Sequence, residues 1–133
     1  MTRQPKPNYA PEAWQQKANE DLAVAKELRD FGTGHFGVIC FHCQQAAEKY
    51  LKALLARNGL AVPRTHDIEF LRDQLQDRNV TVPVDAGDAA WLSGFAVLVR
   101  YPATPPRPVS REHADRAVSI SRHLAQFCLD HLS

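Results

Sequence analysis

Apolar residues recur along this chain at helical spacing and nowhere alternate for long. Trp14, Ala18, Leu22, Ala25 and Leu28 lie three or four apart and predict a first helix to about Asp30. Pro11 suits its first turn, where a missing N–H costs nothing. Phe31-Gly32-Thr33-Gly34 breaks it. A second helix is expected from about His35 to Arg57. Asn58-Gly59 closes it and Pro63 prevents its resumption. Thr65 is the expected cap of a third helix, whose apolar face is Ile68, Leu71 and Leu75. After a connector at Asn79–Val84, Asp85 or Asp88 opens a fourth, packed through Ala89, Leu92, Phe95 and Val99. Pro102, Pro105, Pro106 and Pro108 make a stiff loop. Ser110 caps a last helix with Ala114, Ala117, Ser121, Leu124 and Cys128 on one side. Val80-Thr81-Val82 is too short for a strand. The expected fold is all-α, an antiparallel up-and-down bundle of four to five helices. Residues 1–11 form a flexible N-terminal arm and residues 12–133 the bundle.

The second helix carries the chemistry. At about 100° per residue, His42, Gln45, Lys49 and Lys52 fall near 0°, −60°, −20° and −80°, a polar stripe roughly 80° wide. Cys40, Cys43, Ala47, Leu51 and Leu54 gather on the other side. One reading makes the stripe a phosphate or RNA-backbone site, with Lys49 and Lys52 giving charge and His42 and Gln45 giving direction. The other makes it a solvated helix face with Glu48–Lys52 as an ordinary ion pair one turn apart.

Composition narrows the choice. The chain has 133 residues, 44% apolar, enough for one core. Its 16 Lys and Arg against 15 Asp and Glu leave a net charge of +1, so any anion site must be local. No apolar run approaches the roughly 20 residues that span a bilayer. Met1–Pro11 has no apolar stretch and does not read as a signal peptide. Three cysteines without an export signal fit a reducing, cytoplasmic setting.

Thr65-His66-Asp67 stands at a helix start, where free N–H groups favour an anion, although a plain cap explains it too. Arg100-Tyr101-Pro102 follows the fourth helix, where the dipole alone favours an arginine. Cys40-x-x-Cys43 with His42 invites a zinc reading. Helical phase turns His42 about 100° from Cys43, so no metal is expected. No glycine-rich phosphate loop, nucleophile elbow or metalloprotease signature is present, and no cofactor is implied. Arg29 and His35 have Gly32 and Gly34 between them and read as a chance pair.

Together these blocks resemble the HEPN domain, a nucleotide-binding domain of higher eukaryotes and prokaryotes. The resemblance rests on Trp14, Asp21-Leu22 and Ala25, then Phe41-His42-x-Gln44-Gln45-Ala46-Ala47-Glu48-Lys49 and Lys52-Ala53-Leu54-Leu55. Thr65-His66-Asp67 and Arg100-Tyr101-Pro102 follow in order. It covers about Trp14 to Leu132. It implies a helical bundle that dimerises and acts with a minimal nucleotidyltransferase in toxin–antitoxin-like modules. Many members are metal-independent ribonucleases with an Arg and a His separated by four to six residues. This chain departs from that pattern: after Arg100 the next histidine is His113.

The expected function is therefore binding of a nucleotide or RNA beside a nucleotidyltransferase partner. Lys49, Lys52 and Arg100 would hold phosphate, and His42, Gln45, His66 and Tyr101 would orient it. A metal-independent endoribonuclease using His66 or His42 with Arg100 is the alternative, and a ligand-free interaction module is the third.

Overall fold

The computed structural model of the protein describes residues 9–98 and 108–132. The helical segments among them are α1 (Pro11–Asp30), α2 (Phe36–Arg57), α3 (Ile68–Gln76), α4 (Ala86–Ser93), α5 (Phe95–Leu98) and α6 (Arg111–His131). No strand occurs among the described residues, as the uniform helical period requires. The long helices α1, α2 and α6 pack against one another, and α3, α4 and α5 cover the remaining side of α2.

α2 is the centre. Residues on every side of it are buried, from Ile39, Cys40 and Cys43 through Ala47, Tyr50 and Leu51 to Leu54 and Leu55. Each fully buried leucine contributes about 1.5–3 kcal/mol of apolar transfer. Two side chains of α6 tie its row to the backbone of α2. Ser121 Oγ donates to the Cys43 carbonyl at 2.8 Å, and Cys128 Sγ to that of Tyr50 at 3.6 Å. Burial pushes the thiols of Cys40, Cys43 and Cys128 up to about 12.

The α1–α2 turn works as expected. Gly32, at φ +63°, takes the left-handed conformation that ends α1, and Thr33 Oγ1 donates to the Leu28 carbonyl at 3.1 Å. The caps at Asp85 and Ser110 are also in place. Asp85 Oδ1 accepts from the Asp88 amide at 2.7 Å, and Ser110 Oγ from that of His113 at 3.2 Å. His113 Nδ1 in turn accepts from the Ser110 amide at 3.1 Å, closing a capping box.

Two expectations are corrected. The cap of α3 is Asp67, whose Oδ1 accepts from the Phe70 amide at 3.1 Å. Thr65 Oγ1 accepts instead from the Asp67 amide and shapes the approach. The fourth helix breaks at Gly94 rather than running on. There the bonding tightens to three-residue spacing, Gly94 N to Trp91 O and Val97 N to Gly94 O, each 3.3 Å. The Ser93 hydroxyl is drawn aside at the break: it donates to the Ala89 carbonyl at 2.9 Å and accepts from the Ile68 amide at 2.8 Å, docking α4 on the start of α3.

Candidate functional site

Two carboxylates organise the polar residues of α2, each holding one histidine and one lysine. Asp21 comes from α1. It sits in the row Trp14, Ala18, Asp21, Ala25, a charged residue in an otherwise apolar seam. His42 and Lys49 lie two turns apart on the facing side of α2, so one carboxylate spans both. Asp21 Oδ1 meets His42 Nδ1 at 3.1 Å, and Oδ2 accepts from Lys49 Nζ. These three side chains are partly buried.

The second carboxylate, Glu48, is deeper. Its Oε2 accepts from Lys52 Nζ at 3.0 Å, and its Oε1 meets His66 Nδ1 at 2.6 Å. The Glu48 and Lys52 side chains are 5% and 7% exposed, whereas that of His66 is 58% exposed. Gln44 Nε2 donates to Glu48 Oε1 at 3.4 Å and to the His66 carbonyl at 3.0 Å. Gln45 Nε2 donates to Gln44 Oε1 at 2.6 Å and extends the network toward solvent.

The chemistry of these contacts sets the tautomers. An ionised carboxylate only accepts, so Nδ1 of each imidazole carries the proton. Nε2 is then left over in both rings, as an acceptor when the ring is neutral and a donor when it is protonated. With neutral imidazoles, the two lysines and two carboxylates sum to zero charge.

The structure thus brings four expected residues, His42, Gln45, Lys49 and Lys52, together with His66. It corrects the picture of a cationic bed. The stripe is the floor of a seam between α1 and the α2–α3 connection, not a solvated face. Lys49 and Lys52 hold different carboxylates instead of converging on one anion. The Glu48–Lys52 pair exists but is buried. His66 stands just before the Asp67 cap, and its partner is Glu48. Arg100 and Tyr101 lie outside the described residues. Sequence reasoning missed Asp21 as the organiser of the seam. The signal was present: a carboxylate seven residues after Trp14 and three after Ala18 occupies a core row.

Beyond Lys52 the seam opens into a cleft of about 500 Å³ bordered by Tyr9, Trp14, Leu60, Val62 and Arg64. Tyr9 and Trp14 meet edge to face with centroids 5.5 Å apart, and Lys52 Nζ stands 5.4 Å from the Trp14 ring centre. Below the seam Tyr50 donates its hydroxyl to Asn19. Burial, then the neighbouring Cys128 and Asp21, raise the Tyr50 hydroxyl well above its ordinary range. Cys40 and Cys43 face the core while His42 turns to Asp21, so the three do not share a centre. Among the described residues no three His, Cys, Asp or Glu side chains gather as a metal site. No described helix is long and apolar enough to cross a membrane.

Comparison with known proteins gives a consistent picture. A family model described as the HEPN domain matches residues 11–131. The crystal structure of TT1696 from Thermus thermophilus is similar, with 29% identity and a TM-score of 0.76 over 90% of this chain and 96% of that one. A HEPN domain protein from Thermotoga maritima shares 28% identity and a TM-score of 0.68, covering 90% of this chain and 97% of its own. ST0689, an archaeal HEPN homologue, has the same fold at 22% identity and a TM-score of 0.71, covering 95% and 100%. No curated protein matches significantly.

Proposed function

We propose that this chain, which belongs to the HEPN domain family, binds a nucleotide or RNA through the α2 seam. One observation carries the reading: the two carboxylate-held imidazoles. Asp21 and Glu48 fix His42 and His66 through Nδ1 and leave each Nε2 to meet a ligand. Gln45 adds an amide. The Tyr9 and Trp14 rings beside the cleft suit a planar base. Lys49 and Lys52 are already paired, so they would reach a phosphate only by exchanging a carboxylate for it. Arg100 and Tyr101 belong to the proposal on the family resemblance, as phosphate and orienting contacts.

The same resemblance supports a symmetric dimer and a minimal nucleotidyltransferase partner in a toxin–antitoxin-like module, and the three free cysteines fit a cytoplasmic setting. Light scattering at tens of micromolar should give twice the chain mass; a monomer mass contradicts the dimer. A second reading, a metal-independent endoribonuclease, is favoured by the same pairs, because an imidazole oriented by a carboxylate is suited to general acid–base work.

The test is calorimetric titration of the full chain with nucleoside triphosphates and single-stranded RNA. His42→Ala with His66→Ala should weaken binding by about tenfold or more, since each lost hydrogen bond is worth about 0.5–1.5 kcal/mol. A parent that binds none of these ligands, or a double variant that binds like the parent, overturns the reading.

A further inference from the structure

α1 and α6 enclose a trough of about 430 Å³ lined by Arg29, Asp115, Ser119, Arg122, His123 and Gln126. A smaller hollow of about 220 Å³ shares Arg29 and Asp115 with it and adds Arg111. Asp115, Ser119, Arg122 and Gln126 form a single row of α6, spaced four, three and four apart. The row lies beside the buried one that faces α2, so it owes nothing to the core.

Charge is handled differently here from the α2 seam. The side chains of Arg122, His123 and Ser119 have no hydrogen bond or ion pair among the described residues. Arg29 is the telling group. Its side chain is 28% exposed, yet its polar contact among the described residues is one oxygen of the neighbouring Asp30 at 3.5 Å. A guanidinium has five donors, and those of Arg29 that Asp30 does not take face water, open to a ligand. Arg29 and Arg122 against Asp115 leave the trough at +1 before His123 is counted, where the paired residues of the α2 seam sum to zero.

We infer that this trough is an oxyanion site for a phosphate group, gripped by Arg29 and Arg122 with His123 and Ser119 as further donors. Two planar forks, an imidazole and a hydroxyl offer more donors than the two oxygens of a carboxylate can fill; a phosphate has the oxygens to match. The site lies apart from the α2 seam and stands without the reading given for that seam. The phosphate can come from a free polyphosphate or from an RNA backbone.

The experiment titrates the full chain with inorganic pyrophosphate and, separately, with a short single-stranded oligoribonucleotide. Each is run against the parent, Arg29→Gln with Arg122→Ala, Arg122→Ala alone, and Lys17→Ala as the control, an exposed lysine of α1 outside both sites. Circular dichroism melts confirm that each variant is folded. We expect pyrophosphate affinity to fall at least about tenfold in the double variant, to fall part-way in Arg122→Ala, and to be unchanged in Lys17→Ala. If the backbone of RNA is the source, the double variant also shows a shallower salt dependence of RNA binding, by about one per lost phosphate contact. A loss confined to pyrophosphate assigns the site to free phosphates. A parent that ignores pyrophosphate at millimolar concentration, or a double variant that binds it like the parent, overturns the inference. RNA binding lost in the His42 and His66 variant but intact in the arginine variant rejects the trough as a backbone site and leaves the seam reading standing.

Discussion

The α2 seam and the α1–α6 trough hold basic residues in opposite ways. In the seam each lysine has a carboxylate: Lys49 has Asp21 and Lys52 has Glu48. In the trough, among the described residues, Arg122 has none, and Arg29 has only a distant oxygen of Asp30. The seam is buried because α2 is the central helix and α1 crosses it, so an unpaired charge there would oppose folding. The trough lies at the surface between α1 and α6, where water can stand in for a partner and folding is indifferent. The difference teaches that lysines on a polar stripe are not by themselves an anion site. What matters is which cations the fold has already neutralised.

The largest expected effect probes the core side of α2, where burial outweighs every other influence on three thiols. Cys40, Cys43 and Cys128 are raised from 9.0 to about 12 by burial. Their folded values lie above the unfolded ones. The stabilisation is therefore full below about pH 9 and falls as pH rises toward about 12, because the unfolded chain releases those protons first. Urea melts at about pH 8 and about pH 11 should differ by on the order of 5 kcal/mol. Equal stability at the two values would show that the thiols are not buried as described.

Next in size is the deep carboxylate. Glu48→Ala leaves Lys52, 7% exposed, without its partner, and should cost about 3–5 kcal/mol by urea denaturation. The shallower Asp21→Ala should cost less, about 1–2 kcal/mol, since water reaches His42 and Lys49. Reversal of that order would break the distinction between deep and shallow halves of the seam. Ser110→Ala, which removes the α6 cap, should cost about 1 kcal/mol. A loss near zero would mean that the capping box adds nothing to the helix. Arg122→Ala should change stability by less than about 0.5 kcal/mol while weakening pyrophosphate binding, the reverse of the profile of the seam.

Much of this was legible in the chain. The 3.6-residue period of the apolar positions marks α1, α2, α3 and α6, and local chemistry marks the turn at Gly32 and the caps at Asp85 and Ser110. Local signals also stop where local alternatives compete. Thr65 and Asp67 both suit a cap, and only the path of the chain decides between them. Gly94 is compatible with a continuous helix, and it is the Ser93 bond to the start of α3, 25 residues away, that marks the break. The site was half legible. Polar phase placed His42, Gln45, Lys49 and Lys52 on one stripe of α2. It gave no sign that the stripe would be covered, because the partners, Asp21 and His66, lie 18 to 28 residues away in sequence. Helical phase reports which residues share a side and not what faces them. The one clue was a carboxylate at Asp21 inside an apolar row.

The central claim is that seam cations serve the fold and trough cations serve a ligand. It is tested most directly by urea denaturation of Lys52→Met beside Arg29→Met, substitutions that keep much of the apolar stem and remove the charge. Lys52→Met should lose about 3–5 kcal/mol, because Glu48 keeps only His66 and Gln44 in a buried place. Arg29→Met should stay within about 0.5 kcal/mol of the parent. Equal losses in the two variants, or a larger loss in Arg29→Met, would contradict the account.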